Sequence, residues 1–169
     1  EEGPQSTLFC VGDDWQAIYR FAGSDISIMR NFESEFGVTE KSVLDRTFRF
    51  NNQISNVACD FILQNPMQIS KEVKPHTIVN DPRVLIGCPY SGDDDLLIDA
   101  LSIISNEVNG EEKTVLVLAR YWFVEPDSFD QITKSCQNLK VTFKSVHSSK
   151  GLEADYVIVL GMCSGKYGF

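Results

Sequence analysis

Three short stretches of this chain gather residue types that can act on phosphates or stack on bases. The first runs Val11-Gly12-Asp13-Asp14-Trp15-Gln16-Ala17-Ile18-Tyr19-Arg20-Phe21-Ala22-Gly23. Gln16 offers a carboxamide that can bond a phosphate oxygen or a water, and Tyr19 and Phe21 offer rings on which bases can stack, worth about 1–3 kcal/mol per base. The plainer alternative is that Asp13 or Asp14 caps a helix and the aromatics fill a core. The second stretch is Arg46-Thr47-Phe48-Arg49-Phe50-Asn51. Arginines beside aromatics suit bidentate phosphate recognition together with stacking, and equally suit an ordinary helix start with surface arginines. The third is Ser145-Val146-His147-Ser148-Ser149-Lys150-Gly151-Leu152-Glu153. Its small polar residues, lysine and glycine can form an anion-binding loop or a plain turn with a solvated lysine. It is not a G-x-x-x-x-G-K-[ST] phosphate loop, and that pattern occurs nowhere in the chain. No cluster of His, Cys and acids has metal-ligand spacing, so no metal site is expected, and His76 is expected to be merely exposed.

Loops of this kind need elements to hold them. Thr7–Val11 is an apolar run stopped by Gly12 and reads as a buried strand. Helices are predicted over about Trp15–Phe21 and over Ser24–Phe36, the latter closed by Gly37. Ser42–Asp45 reads as a short strand. Ile54, Val57, Ala58, Phe61 and Ile62 make an amphipathic helical stripe, capped by Asn51 or Asn52 and ended by Asn65-Pro66. Arg83–Gly87 reads as a strand. Leu97, Leu101, Ile104 and Val108 make a second stripe, capped by Asp93 or Asp94 and closed near Asn109-Gly110. Thr114–Ala119 and Tyr156–Leu160 lack polar alternation, so both of their faces should be covered. Asp127–Gln137 reads as a helix, and Lys140–Val146 alternates weakly. The polar stretch Gln68–Pro82, with Pro75 and Pro82, reads as a surface excursion. Strands alternating with helices predict an α/β fold, a mostly parallel sheet with helices on both faces. Ligands gather at the carboxyl ends of such strands, which raises the interest of all three loops.

Composition bounds the rest. At 169 residues with 43% hydrophobic and 23% charged residues, the chain is globular rather than disordered. No apolar run reaches the roughly 20 residues of a membrane-spanning helix, and the first residues do not resemble a signal peptide. Five cysteines, odd in number and never in a C-x-x-C pair, argue against a disulfide scaffold and suit a reducing cytoplasm. The net charge of −9 counts against a free-standing nucleic-acid binder. The charge is uneven, however: residues 93–127 carry −7 and residues 140–169 carry +2.

Taken in order, the three loops resemble motifs of the UvrD/Rep-type superfamily 1 DNA helicases. Gly12-Asp13-Asp14-Trp15-Gln16-Ala17-Ile18-Tyr19 resembles motif III, Leu44–Asn51 motif IV, and Val146–Glu153 motif V. The short interval from Arg49 to His147 resembles members without a large insertion between motifs IV and V. The resemblance implies a partial RecA-like fold of the P-loop NTPase type. It places residues 1–37 at the end of a first RecA-like lobe and residues 38–169 in a second lobe, truncated before motif VI. It implies an enzyme that couples ATP hydrolysis, with Mg²⁺, to movement on single-stranded and duplex DNA, 3′ to 5′. The Walker A lysine and Mg-binding acids are expected upstream of Glu1 on the missing first lobe, and motif VI beyond Phe169. The stretch alone is then expected to be inactive, with no ATP or Mg²⁺ bound to it. The rival reading is a helicase-derived DNA- or partner-binding module without turnover; a second is an unrelated α/β binder holding a metal on Asp13-Asp14.

Position by position, the resemblance makes Gln16 the γ-phosphate sensor and Arg49 the arginine that reaches the γ-phosphate. Phe48 stands where a tyrosine usually stacks on adenine. Lys150, Gly151 and Glu153 fall near the nucleotide, while Tyr19, Phe21, Ser145 and His147 fall on the DNA side. Ala22 replaces an arginine common in relatives, which removes one expected DNA contact.

Overall fold

The computed structural model describes residues 6–19, 22–81, 84–88, 93–165 and 168. It divides into two compact units, Glu1–Val84 and Leu85–Phe169, each taken on its own below. The architecture is α/β, with parallel sheets flanked by helices, consistent with a partial RecA-like fold.

The first unit opens without the strand expected at Thr7–Val11. Those residues are exposed, Phe9 to 87%, and among the described residues no ladder takes up their backbone groups. An apolar run becomes a strand only where a partner offers that ladder. The helix expected over about Trp15–Phe21 is, over its described residues, a 3-10 turn, Asp14–Gln16; Arg20 and Phe21 lie outside the described residues. The helix expected over Ser24–Phe36 forms as two short pieces, α1 Ser27–Arg30 and α2 Phe32–Phe36, interrupted at Asn31. It does close at Gly37, whose φ of 89° lies in the left-handed region that glycine adopts without strain. The strand expected at Ser42–Asp45 does not form there; β1, Arg46–Thr47, begins directly after it.

Asn51 then starts α3, Asn52–Ile62, by accepting hydrogen bonds from the amides of Gln53 and Ile54 at 3.0 and 3.1 Å. This satisfies two of the helix's unpaired N–H groups. The apolar stripe of α3 is not buried: Ile54, Val57 and Phe61 are exposed, Phe61 to 69%. The polar stretch after the helix supplies β2, Lys74–Pro75, which pairs parallel with β1 in the register Arg46↔Lys74 and Thr47↔Pro75. The expected surface excursion is therefore a structural member of the unit.

The second unit holds the core. Its parallel sheet has the order β4-β3-β5, formed by β3 Lys113–Ala119, β4 Leu139–Ser145 and β5 Tyr156–Val159. Val117 sits in register with Phe143 on one side and Ile158 on the other. Helices α4, Asp93–Glu107, and α5, Phe129–Ser135, cover the face that carries Val115 and Val117. Leu97, Leu101, Ile104 and Val108 form the buried stripe, with Leu97 and Leu101 fully buried. Burying each such leucine contributes about 1.5–3 kcal/mol. Asn109, at φ 50°, and Gly110, at φ 85°, close the segment after α4. Ser128 donates to the Asp94 carboxylate and so ties the start of α4 to the residue before α5.

Two expectations shift here. The predicted strand at Arg83–Gly87 is absent over 84–88, and Arg83 lies outside the described residues. β3 is buried on both faces as expected, at Val115, Leu116 and Val117, but β5 alternates, with Val157 exposed to 53%. Tyr156 and Ile158 face α4 and α5, whereas Val157 and Val159 point to the other side of a strand that has, among the described residues, one neighbour, β3. Among the described residues no helix is long and apolar enough to cross a membrane. All five cysteines are free.

Candidate functional site

The first loop is set by its own acids. Asp13 caps the 3-10 turn: its carboxylate accepts from the Trp15 amide at 3.2 Å, so the plain capping role holds. The same carboxylate accepts from Gln16 Nε2 at 2.6 Å and from Lys71 Nζ at 2.5 Å. Asp14 is 2% exposed. It accepts from Lys71 Nζ at 2.9 Å and from the Ile69 amide at 2.8 Å, which gives a buried charge the partners it requires. Trp15 completes the junction. Its Nε1 donates to the Ile69 carbonyl at 3.2 Å, and the Lys71 ammonium lies 4.7 Å from its ring centroid. Burial pushes the Asp13 carboxyl up, but the bonds from Lys71 and Gln16 and the charge of Lys71 outweigh it and hold the group below the usual carboxylate range. Lys71 mirrors this: burial pushes it down, and the two aspartates hold it above 10.5. An ammonium already occupies both acids, which leaves no open carboxylate pair for a metal. Among the described residues there is no group of three or more His, Cys, Asp or Glu that could hold one.

The second loop is held by the same polar segment. Lys74 bonds Asp45 twice, through Nζ at 2.7 Å and through its amide to the Asp45 carbonyl at 2.6 Å. The His76 amide donates to the Thr47 carbonyl at 2.8 Å, and the His76 ring lies 4.8 Å from that of Phe48, tilted by 41°. Asn52 fixes the far end: it donates to the Val79 carbonyl and accepts from the Val79 amide, at 3.1 and 2.7 Å. Residues 69–79 thus form a strap whose near end holds the Gln16 loop and whose far end holds the Arg49 loop. Gln16, Phe48 and Arg49 are exposed around it, and Tyr19 is half-buried. Phe21 lies outside the described residues. Lys71 was not among the expected site residues. His76 is exposed as expected, and it also packs on Phe48.

The third loop follows β4 in the second unit. The Val146 amide donates to the Ala119 carbonyl at 2.9 Å, so the loop leaves the sheet at its carboxyl edge, where ligands of parallel sheets gather. His147–Ser149 make a 3-10 turn. Ser145 organises it, since its hydroxyl accepts from the Ser148 amide at 3.3 Å and meets the Ser148 hydroxyl at 2.9 Å. Ser149 donates to the Val146 carbonyl at 2.9 Å. Gly151, at φ 84°, turns the chain out of the loop, and Lys150 and Glu153 flank it, both exposed. Beyond the turn, Asp155 accepts from the Thr114 amide and hydroxyl at 2.8 and 2.6 Å, which locks β5 beside β3 and holds the Asp155 carboxyl below its usual range. The structure brings Gln16, Phe48 and Arg49 onto loops that share one strap, and Ser145, His147, Lys150, Gly151 and Glu153 onto one loop of the other unit.

Residues 2–37 match the family described as UvrD/REP helicase N-terminal domain, a span that contains the first loop. Over all 169 residues the chain is 39% identical to DNA helicase IV of Escherichia coli (strain K12), covering 100% of this chain and 24% of that protein. The chain spans about a quarter of the length of the curated relative it matches. No solved structure matches. The chain is therefore similar from end to end to part of a DNA helicase, and its residues 2–37 carry the likeness to the UvrD/REP helicase N-terminal domain.

Proposed function

We propose that this chain is the end of the first RecA-like lobe (residues 1–37) and most of the second (residues 38–169) of an ATP-dependent DNA helicase moving 3′ to 5′. The observation that carries this reading is the 39% identity to a DNA helicase across the whole chain. The loop chemistry supports it. Arg49 offers an exposed guanidinium and Gln16 an exposed carboxamide, donors suited to phosphate oxygens. Phe48, 70% exposed, has ring surface open for an adenine. These groups fit a nucleotide's phosphates and base, and bound ATP would supply the phosphoryl group whose transfer drives the cycle. Lys150, Gly151 and Glu153 would lie on the nucleotide side of the second lobe. Tyr19, Phe21, Ser145 and His147 would lie on the DNA side, stacking on bases and bonding the backbone. The Mg²⁺-binding acids and the phosphate loop would come from the rest of the enzyme, since Asp13 and Asp14 are held by Lys71. Arg49 would stabilise charge that develops on the transferring group, the role of an arginine finger.

The open apolar stripe of α3 and the outward valines of β5 agree with a piece of a larger fold. The test is ATP hydrolysis by the 169-residue chain and by the intact gene product, each with and without single-stranded DNA. The expected result is DNA-stimulated turnover by the intact product alone, reduced about 10³-fold by Arg49→Ala. Turnover by the isolated chain, or DNA binding without any turnover by the intact product, overturns the proposal; the latter result is that of a non-enzymatic interaction module.

A further inference from the structure

The carboxamide of Gln16 has two chemically different ends, and its neighbour decides which one is presented. A carboxylate only accepts hydrogen bonds, so the 2.6 Å contact with Asp13 Oδ2 must come from Gln16 Nε2. That contact turns Oε1 to the opposite side of the amide. Asp13 is in turn fixed through its other oxygen, which accepts from Lys71 Nζ at 2.5 Å and from the Trp15 amide at 3.2 Å. Lys71 is itself held from three sides: by Asp13, by buried Asp14 at 2.9 Å, and by the Trp15 ring beneath its ammonium. The result is a relay, Lys71 to Asp13 to Gln16, in which the lysine comes from a segment 58 residues away from the aspartate it grips.

We infer that Lys71 is a positioning residue that, acting through Asp13, holds Gln16 with its amide nitrogen inward and its oxygen outward. In this state Gln16 presents its oxygen as an acceptor and keeps one amide hydrogen as a donor. The donor can meet a phosphate oxygen and the acceptor can meet the hydrogen of a water, so the orientation that Lys71 imposes decides how Gln16 meets the reacting group. The inference rests on the helicase reading and adds to it a residue that positions one of its groups.

The test is steady-state ATP hydrolysis by the intact enzyme with saturating single-stranded DNA, using Gln16→Ala, Lys71→Met, Lys71→Arg and the Gln16→Ala/Lys71→Met double variant. A misplaced catalytic group costs about 10–100-fold. Lys71→Met is therefore expected to lower kcat by about that factor with KM for ATP changed less than about twofold. Lys71→Arg, which keeps the charge, is expected to recover most of the rate. The double variant is expected to be no slower than Gln16→Ala alone. Asp13→Asn keeps the Lys71–Asp14 pair, so it is expected to give the same kcat loss even if Lys71→Met does not fold. An unchanged kcat in Lys71→Met or Asp13→Asn, a loss that multiplies with that of Gln16→Ala, or a change confined to KM overturns the relay while Gln16 keeps its role. An intact product without ATPase activity, or an unaffected Gln16→Ala variant, removes the helicase reading and the relay together.

Discussion

Replacing Asp14 with alanine should release one end of the strap and leave the other in place. Asp14 accepts two hydrogen bonds from the strap, from Lys71 Nζ at 2.9 Å and from the Ile69 amide at 2.8 Å, while 2% exposed. A bond to a charged group contributes about 1.5–3 kcal/mol, and a donor left unpaired costs about 1–3 kcal/mol. Lys71 is not stranded by the change, because it keeps Asp13 at 2.5 Å and its side chain is 23% exposed. That lowers the expected cost below the 3–5 kcal/mol of a fully buried broken pair, to about 2–3 kcal/mol. At 1.4 kcal/mol per factor of ten, local opening should rise about 30–100-fold. Native-state hydrogen exchange reads this directly. The Ile69 amide should exchange about 30–100-fold faster in Asp14→Ala, whereas the Val79 amide, bonded to Asn52 at 2.7 Å, should hardly change. An Ile69 amide that exchanges at the wild-type rate would mean that Asp14 does not hold the strap. Equal acceleration at Ile69 and Val79 would mean that the strap opens as one piece and the two anchorages are not separate.

Titration gives a second check on the same junction. The Asp13 carboxyl lies below its ordinary value of about 3.8, so its contribution to stability is complete above that pH and is lost as pH falls through the lower folded value. Lys71 lies above 10.5, so its contribution is complete below that pH and is lost as pH rises through the higher folded value. Carboxyl carbon NMR should therefore place Asp13 below 3.8 and move it upward in Lys71→Met; an unmoved resonance would remove the pairing. Packing predicts a contrast between two helices. Leu101→Ala, at a fully buried position, should cost about 3 kcal/mol in urea unfolding, while Phe61→Ala, on the open stripe of α3, should cost less than about 0.5 kcal/mol. Comparable losses at the two sites would mean that the α3 stripe is covered.

What could be read from residue order alone was whatever depends on near neighbours. Asn51 capping α3 and Gly37 ending α2 follow from local hydrogen bonding and backbone freedom. The fully apolar run of β3 and the stripe at Leu97, Leu101, Ile104 and Val108 follow from periodicity, and the structure brings them together in the core. Thr7–Val11 has the same apolar character as β3 but forms no strand, because hydrophobicity does not say where a ladder partner lies. The part that residues 68–81 play in holding the loops is hidden in the sequence for the converse reason. Their ties are polar and long-range, from Lys71 to Asp13 and Asp14, from Lys74 to Asp45 and from Asn52 to Val79, and they leave no periodic trace. The one available hint was two lysines, Lys71 and Lys74, in a segment that lies downstream of two acid-bearing loops.

The strap bears on how the proposed motor would work. Its grip on the first loop is through Lys71 and Ile69, and its grip on the second is through Lys74 and His76. Lys71 and Lys74 are three residues apart, about 10 Å of extended chain. On the proposed division into lobes, Gln16 would stand on the first lobe and Arg49 and the strap on the second, so Lys71 would reach across their boundary. Lobe movement would then either carry the Gln16 loop along with the strap or break the Lys71 contacts. The contacts differ in how readily they break: Asp13 is 40% exposed and can exchange Lys71 for water, whereas Asp14 is buried and cannot do so without a penalty. The grip on Asp13, which orients Gln16, is thus the one that lobe movement can release first, while Asp14 keeps the strap in place.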